Sequence, residues 1–353
     1  MKILVLNCGS TSIKYELFNI SNEKPLDEGY IEHIKHMSDF EKHLKNILNS
    51  LIKKSKIKSL EEIQAIGHRV VHGGDFSKSI IITPSILKKI KKNSNLAPLH
   101  NPSNIKGIEI MKEQIPTAKQ VAVFDTAFHQ TMPEKAFMYA LPYNLYSKHK
   151  IRKYGFHGTS HRYVAIQASK KLKKPLNKLN LITCHLGGGS SICAIKQGNS
   201  IDTSMGFTPL EGLIMATRAG DFDSAIVFYL HNQLKISLKE IETLVNNKSG
   251  TYGISGVSPN FKEVLNKAQT GDKRSKLAYD MFIYRVQKYI GAYKAILGKV
   301  DAIIFTAGIG EKSSKTRKDV MKSFPNLKYL VIKTDEEKMI FLETKTLIYS
   351  KDL

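Results

Sequence analysis

Four short apolar runs, each closing on a polar or glycine-rich turn, set the class of fold open to this chain. They are residues 3–6 before Asn7-Cys-Gly-Ser-Thr-Ser, 121–124 before Asp125-Thr, 181–184 before His185-Leu-Gly-Gly-Gly-Ser-Ser, and 302–306 before Gly308-Ile-Gly-Glu. Runs of this length read as buried strands. Strands that end at such turns and alternate with helices predict an α/β protein with its chemistry at strand carboxyl ends. The helical signals between them are ordinary. Ser237-Leu-Lys-Glu240 is a capping box opening a helix through Ile241, Leu244 and Val245, with Gly250 as its stop. Asn101-Pro-Ser-Asn introduces a second helix through Ile105, Ile108 and Met111. Residues 274–297 read as a long helix with Leu277, Met281, Tyr284 and Ile290 on its apolar side.

One repeat appears at half-chain distance. Leu4-Val-Leu-Asn-Cys-Gly-Ser-Thr-Ser-Ile-Lys matches the pattern of Ile182-Thr-Cys-His-Leu-Gly-Gly-Gly-Ser-Ser-Ile-Cys, each a strand, a Gly/Ser turn and a second strand. Two readings are open: opposed hairpins gripping a polyphosphate through backbone N–H groups and hydroxyls, or two unrelated hairpins. The link Leu141-Pro-Tyr-Asn-Leu-Tyr-Ser separates the halves, which predicts domains over 1–140 and 141–353.

Composition excludes several classes. No apolar run approaches the ~18 residues of a membrane span, and the four-residue run at the start is too short for a secretory signal. A cytoplasmic protein is expected. Three cysteines make no C-x-x-C pair and no disulfide framework. The net charge of +23 points at first toward nucleic acid, but only seven of the 54 basic residues are arginine. The lysines are scattered through helical stretches such as residues 42–58, whereas nucleic-acid readers gather charge on one face and use Arg forks. A solvated lysine coat follows, with no specific nucleic-acid partner.

Candidate chemistry sits at the turns. There is no G-x-x-x-x-G-K-[ST], and Gly187-Gly-Gly-Ser-Ser fails the dinucleotide pattern. His157 and His161, like His68 and His72, stand at i, i+4, a zinc-compatible spacing without the Glu, Cys or carboxylate that a zinc site needs. Core or surface histidine is the default for all twelve; His157 and His185 stand out because each adjoins a glycine turn. Asp125 at a strand end reads either as a base or hydroxyl partner, or as a helix N-cap. Arg69 and Arg218 lie in Gly-containing segments rich in His or Asp. Thr217-Arg-Ala-Gly-Asp221-Phe-Asp223 is either an ion-paired turn or an arginine clamp on a moving phosphoryl group.

Seven ordered motifs resemble the acetate kinase family, which belongs with actin, sugar kinases and heat-shock ATPases. They are Asn7-Cys-Gly-Ser-Thr-Ser, Gly67-His-Arg-Val-Val-His-Gly-Gly74, Phe124-Asp-Thr-Ala-Phe-His-Gln-Thr-Met-Pro133, Tyr154-Gly-Phe-His-Gly-Thr-Ser-His161, His185-Leu-Gly-Gly-Gly-Ser-Ser191, Thr217-Arg-Ala-Gly-Asp221 and Gly308-Ile-Gly-Glu311. The resemblance implies two actin-like (ribonuclease H-like) domains of duplicated topology with a nucleotide cleft between them. It implies reversible transfer of the γ-phosphate of ATP to acetate, giving acetyl phosphate and ADP, with propionate or butyrate as alternative acceptors. A carboxylate is already a nucleophile, so such catalysis is mainly positioning and charge stabilisation.

Roles follow by the same resemblance. Asp125, His157 and Arg218 would be catalytic, and Arg69 would hold the substrate carboxylate. Asn7 would touch Mg²⁺ (or Mn²⁺) and Lys14 the nucleotide phosphates. His185, Leu186, Gly187, Gly188 and Gly189, then Asn260, Phe261 and Lys262, and finally Gly308, Ile309, Gly310, Glu311 and Lys312 would bind the nucleotide. Family members are homodimers.

The chain departs from the family in three places. Asn260-Phe-Lys262 replaces Asp-x-Arg on the adenosine side, and lysine lacks the planar face that stacks on a base. Ala307 stands for a usual Gly, Lys312 for an Asn, and Gly188 for an Asn. At the end, Thr334-Asp-Glu-Glu337 resembles a late Thr-Asn-Glu-Glu whose first Glu helps hold Mg²⁺. Residues 332–338 and 347–353, however, fit an earlier family stretch without a gap. The expectation is a shortened chain lacking the last strand, the metal carboxylate and the closing helix. Such a chain would be a weakly active or inactive remnant with an actin-like fold.

Overall fold

Strand β1 (Lys2–Cys8) is apolar on both faces: Leu4, Leu6 and Cys8 enter one buried layer, Ile3 and Val5 another. A strand covered on both sides has no solvent face, which is why its sequence reads as a continuous apolar run rather than an alternating one. The computed structural model describes residues 1–34, 36–97 and 100–349. They divide into two units, the first made of residues 1–130, 158–160 and the stretch from Asp335 on, the second of 131–157 and 161–334.

In unit 1, β1 is followed by β2 (Ile13–Asn19), β3 (Asn22–Ile31), α1 (Asp39–Lys53), β4 (Ile63–Val70), β5 (Ile80–Ile81), α2 (Pro84–Lys92), α3 (Asn101–Gln114) and β6 (Lys119–Phe124). The sheet order is β3-β2-β1-β4-β6-β5. The β1–β2 and β2–β3 pairs are antiparallel, and β1, β4 and β6 run parallel. Phe40, Leu44, Ile47, Leu48 and Leu51 of α1 and Ile110 and Met111 of α3 cover one face of this sheet. Helix α3 begins with the expected proline in its first turn and buries Ile105, Ile108 and Met111.

The chain continues through α4 (Glu134–Phe137), α5 (Tyr143–His149) and α6 (Gly158–Leu172) to β7 (Asn180–Leu186), β8 (Ser190–Lys196) and β9 (Asn199–Thr203). Then come α7 (Ala225–Asn232), α8 (Leu238–Asn247), α9 (Gly250–Ser255), α10 (Phe261–Gln269) and α11 (Lys273–Leu297). The unit finishes with β10 (Ala302–Thr306), α12 (Ala307–Lys312), α13 (Ser314–Met321) and β11 (Tyr329–Val331). Its sheet order is β11-β10-β7-β8-β9, with β7, β10 and β11 parallel and β7–β8 and β8–β9 antiparallel. Reversed, this is β9-β8-β7-β10-β11, the order and strand senses of β3-β2-β1-β4-β6 in unit 1. The half-chain repeat is therefore one topology used twice. All four expected strands are present, as β1, β6, β7 and β10. Helix α8 forms its capping box and buries Ile241 and Val245.

Three expectations are corrected. Helix α11 buries Tyr279, Phe282, Val286, Ile290, Tyr293 and Leu297, whereas Leu277, Met281 and Tyr284 are exposed. The helix carries two apolar stripes, and the one with more bulk is the one that packs. The division at 140/141 falls instead after Gln130, and later residues return to unit 1. That return is α14 (Glu336–Tyr349), so a closing helix is present. Its Ile340 and Phe341 pack on Ile3, Val5, Phe18 and Ala65, with the Phe18 and Phe341 rings stacked 4.4 Å apart. Glycine at position 67 makes room, since a Cβ there would lie 2.7 Å from the Ile340 Cγ2 atom and closer still to Thr344. β11, which the expectation omitted, lies beside β10. Residues 350–353, part of the stretch matched to an earlier family segment, lie outside the described residues.

Candidate active site

In unit 1 the polar residues gather where parallel strands end. Asn7 lies on β1, Arg69 on β4, and Asp125 directly after β6. Arg69 donates to the Asp125 carboxylate from Nε at 3.0 Å and Nη2 at 2.6 Å, and from Nη1 to Asn7 Oδ1 at 3.1 Å. Such a fork on a carboxylate fixes both groups. Asp125 is 1% exposed and also accepts from Thr159 Oγ1 at 3.2 Å, so it serves a guanidinium and a hydroxyl. Burial works against the charge on Arg69, but Asp125 and then Glu336 outweigh it and hold the group protonated.

Lys14, opposite Asn7 across the β1–β2 hairpin, reaches Glu337 at 2.5 Å and Glu16 at 3.4 Å. Asn7 Nδ2 donates to Glu337 Oε1 at 3.2 Å. The start of α14 thus delivers carboxylates to the strand ends. Oxygens of Glu16, Asp335 and Glu337 lie within 4.8 Å of one another. Burial, followed by the charges of Glu337 and Asp335, pushes Glu16 up to about 7 against the pull of Lys14. Glu336 is raised as well, first by burial and then by Asp125 and Glu337, with Arg69 opposing. Negative charge is in surplus here, and every donor is a hard oxygen of the kind Mg²⁺ or Mn²⁺ takes. The residues fit such an ion.

In unit 2 the chemistry gathers around the turn at residues 187–189 joining β7 to β8. Gly187 N donates to Gly189 O at 3.1 Å and Ser190 Oγ donates to Gly187 O at 3.0 Å, while a Cβ on Gly188 would meet nothing within 4 Å. A Cβ at Gly189 would lie 3.4 Å from His157 Nε2 and 3.5 Å from Arg218 Nη1, so both side chains flank this turn. His157 sits at the N-cap of α6 with φ of 57°, a strained conformation for a non-glycine residue. Its ring stacks on His185, centroids 4.1 Å apart. Its Nδ1 lies 2.9 Å from Ser191 Oγ. Asp221 pairs with Arg285 and Tyr289, and Asp223 caps α7 through the Ala225 N–H. Among the described residues no carboxylate pairs with Arg218, and burial lowers its pKa. The ion-paired turn exists, but its arginine is Arg285.

A cavity of about 730 Å³ opens beside the same turn. Of the expected nucleotide residues, Gly187, Gly188, Asn260, Phe261, Lys262, Gly308, Ile309 and Lys312 line it. His185, Leu186, Gly189, Gly310 and Glu311 do not. Glu311 instead accepts from the backbone N–H groups of Ala307 at 2.9 Å and Thr334 at 3.0 Å, fixing two loops. Asn260 caps α10 by accepting from Lys262 N at 3.0 Å. Sequence reasoning missed the walls that Met215, Leu265, Gln269, Phe282 and Lys315 provide. Leu265, Gln269, Phe282 and Lys315 signalled only a helix face, and Met215 lies in an irregular stretch. Sequence reasoning also missed Glu16, gave Ser191 no role of its own, and set the Glu336–Glu337 pair aside in favour of an earlier family stretch.

Duplicated sheets, a glycine turn flanked by a histidine and an arginine, and a neighbouring cavity define a phosphotransferase of the actin-like α/β class. The chain belongs to the acetate kinase (acetokinase) family, whose model matches residues 32–352. It is 48% identical to an acetate kinase of Alkaliphilus metalliredigens, covering 100% of this chain and 94% of the relative. That alignment runs over 375 positions, more than the chain's 353 residues, so part of the relative falls in gaps inside the match. The crystal structure of Porphyromonas gingivalis acetate kinase superposes with a TM-score of 0.92 at 39% identity, covering 98% of this chain and 99% of that one. A propionate kinase from Francisella tularensis gives 0.90 at 42%, covering 98% and 100%.

Proposed function

We propose that this chain transfers the γ-phosphoryl group of ATP to acetate, reversibly and by direct in-line displacement. An acetate oxygen forms a bond to the γ-phosphorus while the bond to the bridging β,γ-oxygen breaks. That oxygen leaves on ADP with the electron pair, and no proton is gained or lost overall. The observation that carries this reading is the pairing of His157 and Arg218 at the 187–189 turn. Both are donors suited to the equatorial oxygens of a moving phosphoryl group, each worth about 3 kcal/mol by comparison with an oxyanion-hole donor. The 730 Å³ cavity beside that turn supports binding of the adenosine portion. Arg69, oriented by Asp125 and Asn7, is proposed to receive the acetate carboxylate, and Lys14 the nucleotide phosphates.

Asn7 and Glu337, with Glu16 and Asp335 beside them, are proposed to hold Mg²⁺, with Mn²⁺ as a substitute. When bound, the ion neutralises phosphate charge. Exposed Phe228 and Tyr229 on α7 and Leu277 and Tyr284 on α11 support pairing with a second copy. No helix among the described residues is long and apolar enough to cross a membrane, which accords with the proposed cytoplasmic location. The propionate kinase relative favours a second reading in which propionate is the preferred acceptor. Trapping the acyl phosphate as its hydroxamate with acetate, propionate and butyrate, with and without Mg²⁺, tests both. Turnover near that of the family with acetate and Mg²⁺ is expected. An absence of hydroxamate with all three would refute the proposal and restore the inactive remnant.

A further inference from the structure

A line of buried hydroxyls and imidazoles runs behind His157, entirely within unit 2. Thr183 Oγ1 lies 2.7 Å from His161 Nδ1, His161 Nε2 lies 2.8 Å from Ser191 Oγ, and Ser191 Oγ lies 2.9 Å from His157 Nδ1. Thr183, His161 and Ser191 are all 0% exposed. The sheet register explains the assembly. Thr183 and His185 stand two residues apart on one face of β7, and Ser191 of β8 is directly opposite His185. His161, one helical turn after His157 on α6, reaches both hydroxyls.

We propose that Ser191 and His161 are positioning residues that hold His157 as a neutral imidazole with its proton on Nε2, the edge beside the 187–189 turn. The direction of the line is set at its far end. Among the described residues, the recorded partner of the Thr183 hydroxyl is His161 Nδ1. A fully buried hydroxyl whose proton finds no acceptor is costly, so Thr183 donates and His161 Nδ1 accepts. A neutral His161 then carries its proton on Nε2 and gives it to Ser191 Oγ. Ser191 in turn donates its own proton to His157 Nδ1, leaving the His157 proton on Nε2. The opposite direction would strand the Thr183 proton and turn a lone pair of His157 toward the glycine turn. Stacking on His185 fixes the plane of the His157 ring, and the Ser191 bond fixes its rotation within that plane.

The functional meaning rests on the proposed phosphoryl transfer, in which an Nε2–H donor serves an equatorial oxygen. Two readouts on the full chain separate the questions. Imidazole ¹⁵N spectra of histidine-labelled protein, assigned with His157→Gln, report the tautomer without any turnover. The native protein should show His157 protonated at Nε2 with a hydrogen-bonded, unprotonated Nδ1, and Ser191→Ala should lose that single state. In the hydroxamate assay Ser191→Ala should lower kcat between about ten- and a hundredfold, because the Nε2–H donor is then no longer held in a single state, with KM for acetate and ATP within about twofold. Ser191→Thr, which keeps the hydroxyl, should retain most of kcat. His161→Gln, whose amide donates near the Nε2 position, should retain more than His161→Leu. A native His157 protonated at Nδ1 overturns the inference, as does a Ser191→Ala kcat within twofold of the parent. If the parent makes no acyl phosphate, the proposed transfer fails and the spectrum alone decides the relay.

Discussion

Units 1 and 2 share one sheet topology but treat their polar residues in opposite ways. In unit 1 the charges are one another's partners: Arg69 is forked onto Asp125 and tied to Asn7, and Lys14 is held by Glu337 and Glu16. In unit 2 Arg218 faces a bare glycine turn with no carboxylate pairing it among the described residues, and His157 leans on a hydroxyl. The same hairpin therefore supports a closed charge network in one copy and an open anion site in the other. Groups in the closed network should matter for stability as well as activity, whereas those at the open site should matter for activity alone.

Arg218→Ala probes the open site and should have the largest effect, lowering kcat about 10²–10³-fold. Its melting temperature should stay near that of the parent, since the Arg218 hydrogen bond to the Pro209 carbonyl is long at 3.4 Å. A large drop in melting temperature would break the comparison. Asp125→Ala probes the closed network and should cost about 2 kcal/mol in urea unfolding, because it strands a guanidinium that is only partly open to water. A loss under about 1 kcal/mol would show that the network is dispensable to the fold.

Glu16→Gln sharpens the same point through pH. Glu16 titrates in the folded chain near 7, above its ordinary carboxylate value, so folding takes up a proton between about 4.5 and 7. Its contribution to stability is present below that window and lost as pH rises through it. The variant should therefore be more stable than the parent by about 1–2 kcal/mol at pH 8, with the gain vanishing near pH 4.5. A gain independent of pH would sink this account. The smallest effect belongs to Ala307→Gly. Ala307 holds a φ of 62° where glycine is unstrained, and relief less the added chain entropy should give about 0.5 kcal/mol by thermal unfolding.

Much of this arrangement was readable from residues because burial leaves a pattern. Strands β1, β6, β7 and β10 are covered on both faces, so each is a bare apolar run, and the repeated hairpin sequence announced the repeated topology. Arg69, Asp125, His157 and Arg218 stood out through their glycine and histidine neighbours. The buried face of α11 was hidden because Leu277, Met281 and Tyr284 form a second stripe, and periodicity does not rank two stripes. Helix α14 was missed because its partners, Ile3, Phe18 and Ala65, lie hundreds of residues away and leave no local mark. The Thr183–His161–Ser191 line carries no net charge, and its members lie in separate segments of the sequence. Only the pairing of β7 with β8 brings its hydroxyls together.

The placement of α14 also bears on how the molecule is made. Unit 1 combines the first strand to leave the ribosome with a helix translated more than 300 residues later. Every residue of unit 2 is synthesised before Asp335, so its sheet can close while Ile3, Val5 and Phe18 still await Phe341. The polypeptide born first is the one completed last, and during that interval a waiting hydrophobic surface is open to chaperones.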